Sequence, residues 1–99
     1  MILAQDLRIG NLVYKNYPDG VEIITVAKIS KNFVNGLGIS AIQPIELTEE
    51  ILDKLDFGCS YTKFNNGFYI SEYDKTLKYL HKLQNIHYET YNQELEIKL

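Results

Sequence analysis

The sequence predicts an α+β fold, in which small antiparallel sheets precede a long amphipathic helix. Three observations indicate this class. The first half of the chain is a series of short apolar runs separated by turn residues, which is typical of strands. Near Thr48 the pattern changes to a capped helical segment, and the last third carries apolar residues at helical spacing. The predicted order is an SH3-like N-terminal small antiparallel β-barrel or curled sheet, a short helix, a β-hairpin, a long C-terminal helix and a final short strand.

Length and composition predict a single domain over residues 1–99. A chain of 99 residues can build one hydrophobic core, and 45% hydrophobic with 23% charged residues is a globular composition. The formal net charge of −3 is ordinary for this length. It lacks the basic excess that most nucleic-acid-binding domains carry, so net charge alone assigns no partner.

The N-terminal half contains four or five predicted strands joined by tight turns. Pro18 presets the backbone angle φ of the first turn, and Asp19 can hydrogen-bond to its own backbone. Asn35 and Gly36 give a second signal, because Asn-Gly favours the turn types found in two-residue hairpins. The apolar runs that we predict as strands are 12–15, 21–29, 33–34, 37–42 and 43–47. They fit either a closed small barrel or an open meander.

A short helix is predicted to begin at Thr48, whose hydroxyl can accept a hydrogen bond from the first turn of the helix. Glu49 and Glu50 follow, and negative charge at this end is favourable because the helix dipole is positive there. Gly58 is the predicted terminator.

A hairpin is predicted over residues 61–70, with Asn66-Gly67 in its turn. Two registers are open: Phe64 lies opposite Tyr69, or, with a three-residue loop, opposite Phe68. We favour the three-residue loop because it places Phe64, Phe68 and Ile70 on one face. A slip of one residue would move every side chain to the other face.

The longest predicted element is a helix over residues 71–92, with Ser71 and Asp74 forming a variant of the capping box. Leu80 and Leu83 lie near the centre of its apolar arc at helical spacing. The opposite face carries a basic stripe of three lysines, namely Lys75, Lys78 and Lys82. The alternating segment 95–99 predicts the final strand.

Three stretches carry a resemblance to a known family. They are residues 6–13 (DLRIGNLV), residues 42–52 (IQPIELTEEIL), and residues 80–85 (LHKLQN) running on to 94–97 (ELEI). In this order and spacing the chain resembles a family of small uncharacterised proteins from phages, prophages and mobile elements of Bacteroidota. The resemblance implies a mobile-element origin and no particular activity.

No pattern in the sequence is typical of an enzyme, so we expect no catalytic, cofactor-binding or metal site. His81 and His87 are six positions apart on the predicted helix and point in different directions, which excludes a shared metal on one face. We expect His87 to be a hydrogen-bonded core histidine and Cys59 an inert thiol. The Glu49-Glu50 pair with Asp53 is interpreted as a helix N-terminus and its solvated face.

The single cysteine and the lack of an apolar run long enough for a signal peptide or a membrane span predict a cytoplasmic location. The same observations predict no contact with a membrane. No phosphate-binding loop or dinucleotide motif is present, so no small-molecule cofactor is expected.

Two groups of side chains are candidates for binding a partner. The first is the stripe of Lys75, Lys78 and Lys82, which could contact phosphate or an acidic protein. The second is a group of tyrosines on or beside the predicted hairpins, because tyrosine supplies contact area with a polar tip; these are Tyr14, Tyr17, Tyr61 and Tyr69.

Three functional hypotheses follow, one of which is an enzyme whose site residues are dispersed along the chain. The first is a non-enzymatic phage or mobile-element interaction protein that binds a bacterial protein or ribonucleoprotein. Its most specific version is an inhibitor of a bacterial defence system, such as an anti-CRISPR protein acting on an effector or its guide RNA. The alternative is a small module that binds nucleic acid, RNA included, through an SH3-like sheet and the lysine stripe.

Overall fold

The computed structural model describes residues 6–55, 60–95 and 97. The chain divides into two compact units, Met1–Ile45 and Glu46–Leu99. Each unit is described by itself. Both combine short antiparallel strands with tight turns, and the α-helices found among the described residues belong to the second unit, so the α+β class is confirmed.

The first unit contains two three-stranded antiparallel sheets among its described residues. The first sheet has the order β2-β1-β6, and the second has the order β3-β4-β5. The strands are β1 (Leu12–Tyr17), β2 (Gly20–Thr25), β3 (Ile29–Ser30), β4 (Phe33–Val34), β5 (Leu37–Gly38) and β6 (Ile42–Gln43), with a 3-10 turn at Ile39–Ala41 before β6.

Both predicted hairpin turns of the first unit are present. β1 and β2 pair from Leu12 opposite Thr25 to Tyr17 opposite Gly20, which leaves Pro18 and Asp19 as the turn. The β4–β5 hairpin closes at Val34 opposite Leu37, around Asn35-Gly36. Asn35 has a φ of 54° and Gly36 a φ of 79°, the two positive values of a type I′ turn.

The core of the first unit is built from strand residues of both sheets together with Leu7, which precedes β1, and Val26, which follows β2. Its buried members are Leu7, Val13, Val26, Val34 and Ile42. The described strands form two separate sheets here and no closed barrel, so the predicted SH3-like barrel is not confirmed. The predicted strand over 21–29 is interrupted after Thr25, because residues 26–28 leave the first sheet before β3 begins.

The second unit contains one three-stranded sheet of order β7-β8-β9 among its described residues, together with two helices. Its elements are α1 (Glu49–Asp53), β7 (Tyr61–Phe64), β8 (Gly67–Ile70), β9 (Lys75–Leu77) and α2 (Leu80–Tyr91). Its buried apolar side chains come from both helices, from β8 and from segments outside the strands, namely Leu47, Leu52, Phe68, Ile70, Leu80, Leu83 and Leu95.

The predicted helix start at Thr48 is confirmed. Its Oγ1 accepts a hydrogen bond from the Ile51 amide at 3.1 Å, and Glu49 and Glu50 occupy the first turn. The helix ends at Asp53, earlier than predicted. The proposed terminator, Gly58, lies outside the described residues, as does Cys59.

The favoured register of the β7–β8 hairpin is wrong by one residue, and the alternative register is wrong as well. Phe64 lies opposite Gly67, and Asn65 and Asn66 form the turn. Phe68 and Ile70 point into the core, whereas Phe64 lies on the opposite face and is 51% exposed. Because side chains alternate between the two faces of a strand, the one-residue shift in register moves Phe64 to the outer face.

The predicted start of the long helix at Ser71 is also wrong. Residues 71–74 form a turn, in which Asp74 has a left-handed φ of 55°. The chain then forms β9, which pairs with β8 through Ile70 opposite Lys75. Backbone pairing at the edge of β8 thus takes precedence over helical spacing in this segment. The helix begins at Leu80, and its end at Asn92 agrees with the prediction.

The last predicted strand is present only as a single pairing in the described residues. Ile97 forms an isolated antiparallel bridge with Leu55. Residues 96, 98 and 99 lie outside the described part of the chain.

Candidate protein-binding cleft

Large apolar side chains are exposed mainly in the first unit. Of the eight among the described residues, five belong to this unit, namely Ile9, Tyr17, Val21, Ile23 and Phe33. An exposed apolar side chain adds little to the stability of the core, and a contiguous group of them is typical of an interaction surface. The first unit therefore carries most of the exposed apolar side chains that a binding site could use.

The two most exposed of these five side chains line one cleft. Ile9 is 60% exposed and Phe33 is 51% exposed. The cleft has a volume of about 570 Å³, and its other described lining residues are Ala27, Lys28, Ile29, Ser30 and Gly36. Its surface is mainly apolar, with one cation and no carboxylate among these residues.

A tight turn presents Ile9 at the cleft. The Asn11 amide donates to the Arg8 carbonyl oxygen at 3.0 Å, so residues 8–11 form a β-turn with Ile9 in its second position. Gly10 takes a φ of 101° in the third position, as a type II turn requires. The Arg8 amide donates to Asn11 Oδ1 at 2.7 Å, and Asn11 is fully buried. This turn is held from both ends, which keeps Ile9 in place.

A second turn fixes the floor of the cleft. Asn35 Oδ1 accepts hydrogen bonds from the amides of Ala27 at 2.7 Å and Lys28 at 3.0 Å. Asn35 Nδ2 donates to the Thr25 carbonyl oxygen at 2.9 Å. On the side that faces Asn35, the backbone of residues 25–28 pairs with no strand of either sheet. The Asn35 side chain satisfies three of its hydrogen-bonding groups there instead. These hydrogen bonds tie the lining residues Ala27 and Lys28 to the Asn35-Gly36 turn.

Phe33 points outward because of strand alternation. It lies opposite Ser30 on β3 and Gly38 on β5, two residues with little or no side chain to cover the ring. Its neighbour Val34 points to the core and is fully buried. A phenylalanine held open in this way offers an apolar anchor for a partner.

Two exposed lysines lie at or next to the cleft in the chain. Lys28 lines it, and Lys31 lies in the turn between the lining residues Ser30 and Phe33; both lysines are exposed. The first unit has four basic and three acidic residues, and the second has six basic and ten acidic. The acidic excess of the chain therefore belongs to the second unit.

The predicted lysine stripe is not a stripe on one helix. Lys75 lies on β9, Lys78 follows that strand, and only Lys82 belongs to α2. Lys78 Nζ lies 4.0 Å from Glu46 Oε1 and 5.5 Å from the centre of the Tyr79 ring. The three lysines thus lie on different elements of the unit that carries the acidic excess.

The four predicted tyrosines divide between the two units. Tyr14 and Tyr17 lie on β1, where Tyr17 is exposed and Lys15 Nζ is 4.7 Å from its ring centre. Tyr61 donates to Asp53 Oδ1 at 2.9 Å, and Tyr69 donates to Asp74 Oδ1 at 2.5 Å. The hydrogen bond to Asp74 raises the pKa of Tyr69, because ionisation would bring two negative charges together.

A second cleft, of about 420 Å³, lies in the second unit. Its lining carries charges of both signs, from Glu46, Glu49, Lys63 and Lys78. Phe64 contributes an exposed ring to it. Charge alone therefore selects no class of ligand for this cleft.

His87 is a buried, hydrogen-bonded histidine, as predicted. Its Nδ1 lies 2.6 Å from the Tyr73 hydroxyl, and its ring also contacts Tyr91 at a centroid distance of 5.0 Å. Tyr91 in turn donates a hydrogen bond to Glu72. Burial lowers the pKa of His87, and the nearby Glu72 and Glu94 carboxylates oppose that effect.

Sequence reasoning missed both anchors of the first cleft. The sequence places Ile9 in the family pattern only. The one signal of its exposure is the glycine that follows it, since an apolar residue directly before a turn glycine indicates an exposed position in the turn. Phe33 and Val34 are adjacent on a strand, so one of them had to face outward. Which one did so depends on the packing of the second sheet.

Within residues 6–55, 60–95 and 97, histidine, cysteine, aspartate and glutamate do not gather in groups of three or more that could hold a metal ion. The same part of the chain has no helix of the length and apolar character needed to cross a membrane. Comparison of the chain with protein-family models, curated proteins and solved structures gives no match.

Proposed function

We propose that this chain is a non-enzymatic interaction module that binds a protein partner in the cleft between Ile9 and Phe33. The observation that supports the proposal most directly is the exposure of both side chains. Ile9 lies on a turn fixed by the buried Asn11, and Phe33 lies on the strand that leads into the turn of the multiply bonded Asn35. A rigid apolar site reduces the entropy lost on binding, because the protein does not have to order it.

The partner segment that fits this cleft carries an apolar side chain flanked by carboxylates. The apolar group would lie between Ile9 and Phe33, and the carboxylates would face Lys28 and Lys31. Charges at the rim of an interface mainly accelerate association and select partners, whereas the buried apolar anchor supplies most of the affinity.

The most specific form of this proposal comes from the family resemblance. A small phage or mobile-element protein that binds a bacterial protein could act as an inhibitor of a defence system, such as an anti-CRISPR protein acting on an effector or its ribonucleoprotein. In that case the partner is a bacterial protein, and the site of action is the cytoplasm.

Capture from a Bacteroidota lysate, followed by binding measurements with the purified partner, tests the proposal. Ile9→Ser or Phe33→Ser should weaken the affinity about thirtyfold, as loss of an interface anchor does. Phe64→Ser is the matched control, because Phe64 and Phe33 are both 51% exposed. We expect this control to change the affinity by less than about twofold.

Two further measurements define the partner. Cross-linking from a photoreactive residue at position 33 should label a segment rich in aspartate or glutamate around an apolar residue. Lys28→Glu should slow association, most strongly at low salt. A partner whose binding is lost with Phe64→Ser and unchanged by Ile9→Ser and Phe33→Ser would contradict the proposed site.

A second candidate function is nucleic-acid binding at the cleft of the second unit that Phe64 lines. The favouring observation is that Phe64 and Lys78 line one cleft, with an exposed ring available for base stacking. Titration of labelled single-stranded RNA at low and moderate salt tests it, with Phe64→Ser and Lys78→Ala as variants. Absence of binding at low salt removes this candidate, since phosphate contacts are strongest there.

A further inference from the structure

Strand β2 forms an outer edge of the first sheet. Among the described strands it pairs with β1 alone, along six residues from Gly20 to Thr25. Val21 is 49% exposed and Ile23 is 42% exposed. The strand contains neither proline nor lysine, two residues that commonly protect sheet edges from further pairing.

The backbone hydrogen bonds next to β2 show which of its residues direct their N–H and C=O groups away from β1. Gly10 donates its amide to the Val26 carbonyl oxygen, and Val26 donates its amide to Asn11, both at 2.8 Å. The backbone N–H and C=O groups of Val26 therefore point toward the residues that lead into β1. In an antiparallel pair the direction of the backbone N–H and C=O groups alternates from residue to residue. Those of Glu22 therefore point toward β1, whereas those of Val21 and Ile23 point away from it.

Thr25 gives independent support for this assignment. By alternation its carbonyl should face away from β1, and it accepts the hydrogen bond from Asn35 Nδ2 at 2.9 Å. The outer edge is thus already occupied by a side chain at Thr25. The backbone groups of Val21 and Ile23 continue the same edge, with two N–H donors and two C=O acceptors.

We propose that this edge binds an extended protein segment by strand addition. The segment pairs with Val21 and Ile23 through backbone hydrogen bonds and places apolar side chains beside theirs. It carries lysine or arginine opposite Glu22, whose side chain projects to the other face of the sheet. The same pairing exists inside the sheet, where Lys15 of β1 lies opposite Glu22.

Charge disfavours a second copy of the chain as the occupant. Antiparallel pairing of two β2 strands satisfies all four outward groups when Val21 of one copy lies opposite Ile23 of the other. Glu22 then lies directly opposite Glu22 of the second copy, and like charges in this arrangement destabilise the pair. Glu22 thus disfavours self-pairing and selects a basic segment.

Two short peptides test this inference by NMR. The first is acetyl-Thr-Val-Lys-Ile-Thr-amide, and the second has glutamate in place of lysine. At millimolar concentration the lysine peptide should shift the amide signals of Val21 and Ile23 and bind at least about threefold more tightly than the glutamate peptide. In the Glu22→Lys protein the preference should reverse.

A proline variant separates edge binding from other contacts. Ile23→Pro removes an N–H that faces away from β1, so the protein should remain folded and lose the response to the lysine peptide. Glu22→Pro removes an N–H directed at β1 and should destabilise the first sheet. Ile9→Ser and Phe33→Ser should leave the peptide response unchanged, which distinguishes this edge from the cleft.

Self-association gives the second readout. Glu22→Thr removes the repulsion between two β2 strands, and sedimentation should then show dimers where the unsubstituted chain shows monomers. Shifts confined to residues outside β2, or equal binding of the two peptides, would overturn the proposal. Dimers of the unsubstituted chain that Ile23→Pro abolishes would instead assign the edge to a second copy and overturn it as well.

Discussion

The side-chain amide of Asn35 lies 2.9 Å from the carbonyl oxygen of Thr25, ten residues earlier in the chain. With its Oδ1 on the amides of Ala27 and Lys28, this side chain substitutes for the strand that would otherwise pair with the segment. The backbone of Asn35 adds a hydrogen bond from its amide to the Lys28 carbonyl oxygen at 2.9 Å. One residue therefore joins the turn of the second sheet to the floor of the proposed cleft.

Asn35→Gly should destabilise the first unit by about 1–3 kcal/mol, because it leaves three backbone groups without their partner. Glycine accepts the φ of 54°, so the change isolates the side-chain hydrogen bonds from backbone strain. Hydrogen exchange at the Ala27 and Lys28 amides, together with urea unfolding, measures the effect.

The matched control is Asn92→Gly. Asn92 has a nearly identical φ of 55° and ends α2, where glycine is favourable. Its replacement should change stability by less than about 0.5 kcal/mol. Equal losses for both variants would mean that the Asn35 side chain contributes nothing beyond its backbone conformation.

Stability should fall as the pH is lowered through the titration range of His87. Burial lowers the pKa of His87 below its usual 6.5 in the folded protein. The unfolded chain therefore takes up the proton at a higher pH than the folded chain. Unfolding is favoured as the pH decreases from above 6.5, until the folded-state pKa is passed.

Urea unfolding between about pH 7.5 and pH 5 tests this dependence. The His87→Gln variant should show a shallower slope, since it removes the group that titrates. Tyr73→Phe should lower stability by about 1 kcal/mol at neutral pH, because His87 Nδ1 loses its hydroxyl partner. A midpoint that rises on acidification would show that His87 is charged in the folded state.

Local chemistry made several elements predictable from the sequence. The Asn35-Gly36 hairpin and the start of α1 at Thr48 depend on a few adjacent residues, whose side chains and backbone angles decide the conformation. The burial of Leu80 and Leu83 follows from helical spacing alone. These features need no knowledge of distant parts of the chain.

Features that depend on pairing with a distant segment were not predictable. Lys75 has helical spacing to its successors, yet it forms a strand because β8 offers an edge opposite it. Ser71 and Asp74, which suggested a capping box, form a turn instead, since short polar residues satisfy both structures. The lysine stripe failed for this reason, because Lys75 lies on β9 rather than on the helix. The Phe64 register failed for a local reason, because the turn of the hairpin consists of Asn65 and Asn66 alone.

Substitutions at buried and at exposed residues of the second unit should differ clearly in how much stability they remove. Leu80 and Leu83 are fully buried, and replacing either with alanine should cost about 2–5 kcal/mol. Lys78→Ala should cost less than about 0.5 kcal/mol, because the side chain is exposed and its Glu46 partner is 4.0 Å away. Thermal or urea unfolding measures both. A large loss for Lys78→Ala with none for Leu80→Ala would mean that the assigned faces are exchanged.

Gly67 should tolerate no side chain, whereas Gly36 should tolerate one at moderate cost. A Cβ on Gly67 would lie 2.4 Å from the carbonyl oxygen of Leu77 and 3.2 Å from the Lys78 Cα. These are backbone atoms of the segment that β8 pairs with, so they cannot move without opening the sheet. A Cβ on Gly36 would meet nothing within 4 Å.

Both glycines have positive φ, 141° at Gly67 and 79° at Gly36, so both alanine variants incur backbone strain of about 1–2 kcal/mol. Only Gly67→Ala adds the clash, and we expect it to release β9 from β8 as well as to lower the unfolding midpoint. Hydrogen exchange should then accelerate at Phe68, Ile70 and Leu77 in that variant and remain unchanged there in Gly36→Ala. If both variants lose the same stability and β9 stays protected, the close approach of Gly67 to Leu77 does not hold the sheet together.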